Sequence, residues 1–353
     1  MRLRALIAAL AVPALLAAAV PARADAVEDF FKGKLIKIIV GASAGGAFEV
    51  NARILGRHMM RHIPGQPTIV VEAMPGAGGA RAMAYMYNAA PQDGSYWGAV
   101  LPSSIISPLL RPVKYDSAKF HWLGSLTPMS TVASVWHTAP AKTLDEAKKT
   151  KLIMATSSKL SNAYLIPALL NAIVGTKFTF VQGYAGGAPM NLAMEKGEVN
   201  GRVNYYNSYL VLQSEWIKEH KVIHLVQAGP AIKDLPDVPR LVDLMKTDEE
   251  RRIAAVLSVD SEVGHGFYLP PRVPADRVAA LVRAFADTMK DPAFVKEAAE
   301  HSLVLDPISA EGVQQIVAHA LSTPPEIIAK FKKMVKLDAP DGPGGKGKKN
   351  KAP

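Results

Sequence analysis

Apolar residues recur along this chain at two spacings, and the switch between them marks out the elements. Leu35-Ile36-Lys37-Ile38-Ile39-Val40 is nearly continuous in apolar side chains, the pattern of a strand covered on both faces. Small residues follow, Gly41-Ala42-Ser43-Ala44-Gly45-Gly46, and beyond them Asn51 to His62 has helical spacing. Pro64-Gly65-Gln66-Pro67 turns the chain into a second strand, Thr68–Glu72, and a second glycine loop, Met74-Pro75-Gly76-Ala77-Gly78-Gly79. A helix over Ala80–Asn88 and a strand over Trp97–Leu101 continue the rhythm, and this unit ends near Trp122–Leu126.

A second unit repeats the alternation. Its strands read Val132–Trp136, Lys151–Ala155, Phe178–Gln182, Val199–Val203 and Ile223–Gln227; its helices read Leu144–Lys149, Ser161–Ile173 and Pro189–Lys196. A third stretch opens with a strand from Gly264 to Pro270 and continues as amphipathic helices, Ala275–Met289 and Asp291–His301. Strands alternating with helices predict an α/β fold with parallel strands and crossover helices.

Both glycine runs sit between a strand and a helix. Bare backbone N–H groups at the positive end of a helix dipole hold an anion without any basic side chain. Gly41-Ala42-Ser43-Ala44-Gly45 also matches G-x-S-x-G, so a secreted serine hydrolase using Ser43 stands as the alternative. Against it, the motif follows what reads as the first strand, whereas a hydrolase draws its oxyanion loop from an earlier one. Neither loop supplies G-x-G-x-x-G or a P-loop's Lys-Ser/Thr ending, which argues against nucleotides. His58/His62 and His220/His224 are each four apart, yet position 59 is Met and no third ligand accompanies either pair, so no metal site is expected.

Composition narrows the setting. Met1-Arg2-Leu3-Arg4, the apolar run Ala5–Val20 and Ala22-Arg23-Ala24 have the form of a signal peptide over 1–24, cleaved after Ala24. The chain is then expected in the periplasm. Cysteine is absent, which excludes disulfides and thiolate chemistry together. The formal charge of +10 would fall to +7 without Arg2, Arg4 and Arg23. With no basic stripe interleaved with aromatics, no nucleic-acid partner is expected. Residues 337–353, rich in Lys, Gly and Pro, read as a disordered tail.

The motifs together resemble the periplasmic solute receptors of tripartite tricarboxylate transporters, the Bug receptors. Gly45-Gly46-Ala47-Phe48-Glu49 is similar to that family's Pro-Gly-Gly turn followed by Asp. Glu72-Ala73-Met74-Pro75-Gly76-Ala77-Gly78-Gly79 stands for its Asn-Arg-Pro-Gly-Ala-Gly-Gly loop. Pro91-Gln92-Asp93-Gly94, Gly183-Tyr184-Ala185-Gly186-Gly187-Ala188-Pro189 and Gly197-Glu198-Val199-Asn200 match further signatures. The resemblance implies a type II periplasmic-binding-protein-like fold with two lobes around a ligand cleft. Lobe 1 would be discontinuous, 25–128 and 260–336, and lobe 2 would span 129–259. It implies a monomeric, non-enzymatic receptor that needs no cofactor and delivers a small organic acid to integral-membrane transporter subunits. The implied ligand-binding residues are Ser43, Ala44, Gly45, Gly46, Ala47 and Glu49 from lobe 1, and Thr156, Ser157, Ser161, Tyr184 and Asn204 from lobe 2. Closure would set Ser43–Ala47 opposite Thr156–Ser161. Glu49 replaces the usual Asp, Tyr164 the usual His, and Asn204 a common Asp, so the wall carries one negative charge fewer.

Overall fold

In the computed structural model, residues 21–339 are described; the expected leader, up to Val20, and the tail from Pro340 lie outside them. Two mixed sheets form the framework. One contains, in spatial order, β11 (Ile308–Ser309), β4 (His121–Ser125), β10 (Gly266–Leu269), β3 (Tyr96–Ala99), β1 (Leu35–Val40) and β2 (Thr68–Ala73). The other contains β7 (Phe178–Val181), β6 (Leu152–Ala155), β8 (Gly201–Tyr205), β5 (Thr131–Trp136) and β9 (Val222–Ala228). The first sheet draws on both ends of the chain and the second on its middle.

Strand β1 shows why its sequence reads as it does. Ile36, Ile38 and Val40 face one apolar cluster with Phe48, Leu55 and Phe294, while Ile39 faces another with Met83 and Met86. The sheet is therefore sandwiched between the helix Ala47–Met59 with Ala275–Thr288 and Pro292–Glu300 on one side, and Ala80–Asn88 with Ala310–Leu321 on the other. The parallel β1–β2 and β1–β3 pairs fit the βαβ rhythm, but β10 runs antiparallel to both β3 and β4.

The chain crosses between the sheets twice, after β4 and before β10, and the two crossings are bonded to each other. Leu126 N–H donates to His265 O at 3.0 Å and His265 N–H to Thr127 O at 3.1 Å. Gly264 (φ +53°) allows this closeness, because a Cβ there would lie 2.0 Å from Thr127 O. The two connections between the sheets thus run side by side.

The C-terminal end departs from the sequence reading. Helix Pro325–Met334 packs against Asn162–Ile173 in the second lobe, and Tyr164 OH donates to Val335 O at 3.0 Å. Leu337, assigned above to a disordered tail, is fully buried, and its carbonyl accepts a bond from Arg111. A single leucine after a lysine-rich helix is too weak a pattern to signal that it packs.

Candidate functional site

The first glycine turn folds back on itself. Gly46 N–H donates to Ser43 O at 3.3 Å, and Gly45 N–H donates to Glu49 Oε2 at 2.5 Å. Glu49 is buried and also receives Arg53 Nε at 3.0 Å. Burial alone would raise its pKa, but the Gly45 amide and the Arg53 guanidinium outweigh that and hold it below the usual carboxylate range. Glu49 therefore serves its own helix: it takes an amide that a ligand anion would otherwise meet and pairs with a residue one turn on. Ala47 and Phe48, the first two helical residues, keep N–H groups with no intrahelical acceptor.

Ser43 Oγ is buried and has no hydrogen-bond partner among the described residues. Among the described residues no imidazole or carboxylate bonds to it, and what lies against it is the backbone of the opposite lobe. A Cβ on Gly186 would come 2.3 Å from Ser43 Oγ. A Cβ on Gly78, in the second glycine loop, would come 3.3 Å from Ser158 Oγ and 3.4 Å from Ser161 N. The lobes thus meet along two seams, and their pairing differs from the sequence expectation. The second glycine loop faces Ser158–Ser161, while the first faces Gly186. The order follows from the sheet, because β1 lies between β2 and β3 and each strand delivers its loop to a different point of the opposing lobe.

The turn in the second lobe is held by its own hydroxyls. Thr156 Oγ1 and Ser161 Oγ lie 2.8 Å apart, and both reach Ser158 O, at 3.0 and 2.8 Å. Thr156 is fully buried and spent on this turn. Tyr184 packs beside a separate apolar cluster of the second lobe, with Val132, Met190 and Tyr206.

Between the lobes lies a cavity of about 70 Å³. Of the expected site residues, Ser157, Ser161 and Asn204 line it; Leu101 and Ser103, just after β3, contribute from the first lobe, and Gly186 and Arg202 from the second. Room of that size suits several waters or a compact solute. Asn162, also on the wall, donates its amide to Asp260, which leaves Asn162 Oδ1 without a partner among the described residues. Asp260 also accepts Tyr205 OH at 2.9 Å and the Ser103 amide, and burial nevertheless pushes its carboxyl up to about 7. A larger cavity of about 380 Å³, largely apolar, lies elsewhere, between Ile166, Gly229, Leu241 and Leu257.

Arg202 is the residue sequence reading missed. It sits on β8, the middle strand of its sheet, where both faces are covered, and is only 6% exposed. Its Nη1 donates to Gly187 O at 2.9 Å and Asn191 Oδ1 at 2.8 Å, its Nη2 to Asn204 Oδ1 at 3.0 Å, and its Nε to Val203 O at 3.3 Å. The available signal was a lone arginine inside an otherwise uncharged strand, Gly201-Arg202-Val203-Asn204-Tyr205.

Three of the four paired histidines make side-chain contacts within the protein. His58 Nε2 meets Glu297 Oε2 at 2.5 Å and His62 Nε2 meets Asp291 Oδ2 at 3.0 Å, so the two rings take different carboxylates. His224 Nδ1 meets Ser134 Oγ at 2.8 Å, and burial lowers its pKa to about 4.

With this geometry in view, likeness to known proteins can be placed on it. Residues 52–333 match the family described as the tripartite tricarboxylate transporter family receptor. A relative from Cupriavidus necator, the UPF0065 protein in the gbd 5′ region, is 30% identical over 198 residues, covering 54% of this chain and 59% of its own length. The chain therefore aligns with less than two thirds of that relative. Among solved structures, the periplasmic binding protein BugD superposes with a TM-score of 0.68 at 20% identity, covering 85% of this chain and 97% of its own. MatC from Rhodopseudomonas palustris, solved with bound malate, gives a TM-score of 0.65 at 20% identity, covering 86% of this chain and 99% of its own. At such identities the likeness is one of fold: two lobes in the manner of periplasmic binding proteins.

Proposed function

The chain belongs to the tripartite tricarboxylate transporter receptor family, and from that premise we propose that it is a periplasmic receptor for a small organic acid, exported by the 1–24 leader and delivering its ligand as a monomer to membrane transporter subunits. The observation that carries this reading is the cavity where turns from two lobes converge, bearing hydroxyls, amides and one guanidinium. Malate in MatC is a compact carboxylate of the kind such a cavity would take.

The energetic demand is modest. Micromolar retention corresponds to about −8 kcal/mol, and a few charge-assisted hydrogen bonds of about 1.5–3 kcal/mol each, with burial of the solute, reach that. Reversible closure of the two lobes would trap and release the ligand. Of the expected residues, Ser157, Ser161 and Asn204 would touch it directly, Ser43–Ala47 would contribute through lobe closure, and Glu49 would support the turn from behind.

Native mass spectrometry of freshly purified protein, followed by calorimetry with malate and succinate, tests the proposal. A retained small acid, or micromolar heat from either probe, is expected. A protein that retains no acid and takes up neither probe nor any other small carboxylate is not this receptor. Ester or amide cleavage abolished by Ser43→Ala would replace the reading with the hydrolase.

A further inference from the structure

We propose that Arg202 is the fixed counter-charge of the interlobe cavity and that the group it receives is a carboxylate of the bound acid, an inference that rests on the receptor reading and assigns its anion subsite.

Four of the five guanidinium N–H groups are taken, all by neutral oxygens: Val203 O, Gly187 O, Asn191 Oδ1 and Asn204 Oδ1. Among the described residues no carboxylate stands within ion-pair distance of Arg202. The nearby buried acid, Asp260, lies behind the wall and is engaged instead by Tyr205, Asn162 and the Ser103 amide. A guanidinium keeps its proton even where desolvation works against it. The fold therefore carries a hydrogen-bonded but unneutralised positive charge, and buried charges are rarely left so.

Placement gives that charge its use. Arg202 lines the cavity between Ser161, Gly186 and Asn204, and among the described residues it is the one charged side chain on that wall. The neighbouring oxygens hold the fork in place without cancelling it, so no reorganisation is needed when an anion enters. One Nη2 N–H has no acceptor among the described residues, which sets the contact as a single charge-assisted bond to one carboxylate oxygen rather than a bidentate clamp. The subsite would thus reject an uncharged amide of the same shape, which offers no charge to neutralise.

The test uses the full mature protein with malate, succinate and the uncharged succinamide, comparing wild type, Arg202→Gln and Arg202→Lys by calorimetry and by ligand-free thermal melting. Expected are binding of the acids and not of succinamide by wild type, a loss of about 10- to 150-fold in Arg202→Gln, the range of a charge-assisted bond, and partial retention in Arg202→Lys. Ligand-free Arg202→Gln should keep native circular dichroism but melt below wild type, because Gly187 O, Asn191 Oδ1 and Asn204 Oδ1 lose donors. Acid binding by Arg202→Gln within twofold of wild type overturns the inference while leaving the receptor reading intact. If neither acid binds wild type, the anion subsite is overturned together with the receptor's ligand class.

Discussion

Gly186→Ala places a methyl group where the two lobes touch. Gly186 sits at φ 164°, extended backbone that alanine also adopts, so the substitution acts through space alone. Its Cβ would lie 2.3 Å from Ser43 Oγ and 2.8 Å from Ser43 Cβ, against ordinary contacts of about 3.5–4 Å. An overlap of more than an ångström is too large for a serine rotamer to relieve, since the Ser43 Cβ itself is in the way. Overpacking of this kind costs about 1–3 kcal/mol. Because the clash lies between lobes, opening the cleft relieves it without unfolding either sheet. The cost should then appear in ligand affinity, as a loss of about 5- to 150-fold, with circular dichroism unchanged. Calorimetry with whichever acid binds the wild type measures it. Ser43→Gly in the same chain removes the two side-chain atoms, leaves the backbone N of residue 43 at 3.0 Å, and should recover part of the loss. Wild-type affinity in Gly186→Ala, or no recovery in the double variant, would show that the lobes do not meet at this point in the bound state.

Three further outcomes follow from individual side chains. Burial raises the Asp260 carboxyl from an ordinary 3.8 to about 7, so the folded state holds its proton more tightly than the unfolded chain; the stability this contributes is present below about pH 4 and lost between pH 4 and 7, up to about 4 kcal/mol. Urea unfolding of Asp260→Asn across that window should show a flatter pH profile than wild type, and coincident profiles would refute the shift. Leu337→Ala should destabilise by about 2–5 kcal/mol, the cost of emptying a fully buried leucine site; a change under 0.5 kcal/mol in denaturant would mean that this end of the chain does not dock. Glu49→Gln should cost about 1 kcal/mol of stability, because it weakens the Gly45 amide bond and the pairing with a half-exposed Arg53. Its affinity for the ligand should stay within about threefold of wild type, and a hundredfold loss would place Glu49 in direct contact instead.

The parts of this molecule legible in its sequence are those whose physics is local. Buried strands such as Ile36–Val40 and helices with one apolar face, such as Ala80–Asn88, announce themselves by period, and glycine runs announce turns. Three elements carried weaker marks. β11 is only two residues long, and helices Ala310–Leu321 and Pro325–Met334 bury their apolar faces against partners distant in sequence. Leu101 and Ser103 reach the cavity because β3 lies beside β1 in the sheet, an adjacency that no local pattern encodes.

The same distinction explains where the ligand's charge must be met. Sequence logic assigned it to the amides of the Ser43–Ala47 turn, which is sound chemistry for a bare helix start. Glu49 lies in the first turn of that helix and already occupies the Gly45 amide, so an anion brought to the same corner would face a carboxylate. The repulsion is reduced by Arg53 but not removed, because Arg53 is half exposed and its charge is screened by water. Across the cleft the balance is reversed: Arg202 is desolvated, ringed by neutral oxygens and without a carboxylate partner among the described residues. Screening is weakest where water is least, so one buried guanidinium attracts a carboxylate more strongly than several half-occupied amides at a helix start beside Glu49. On this reasoning the first lobe would close over the proposed ligand and shape its surroundings, while the second lobe would hold its charge.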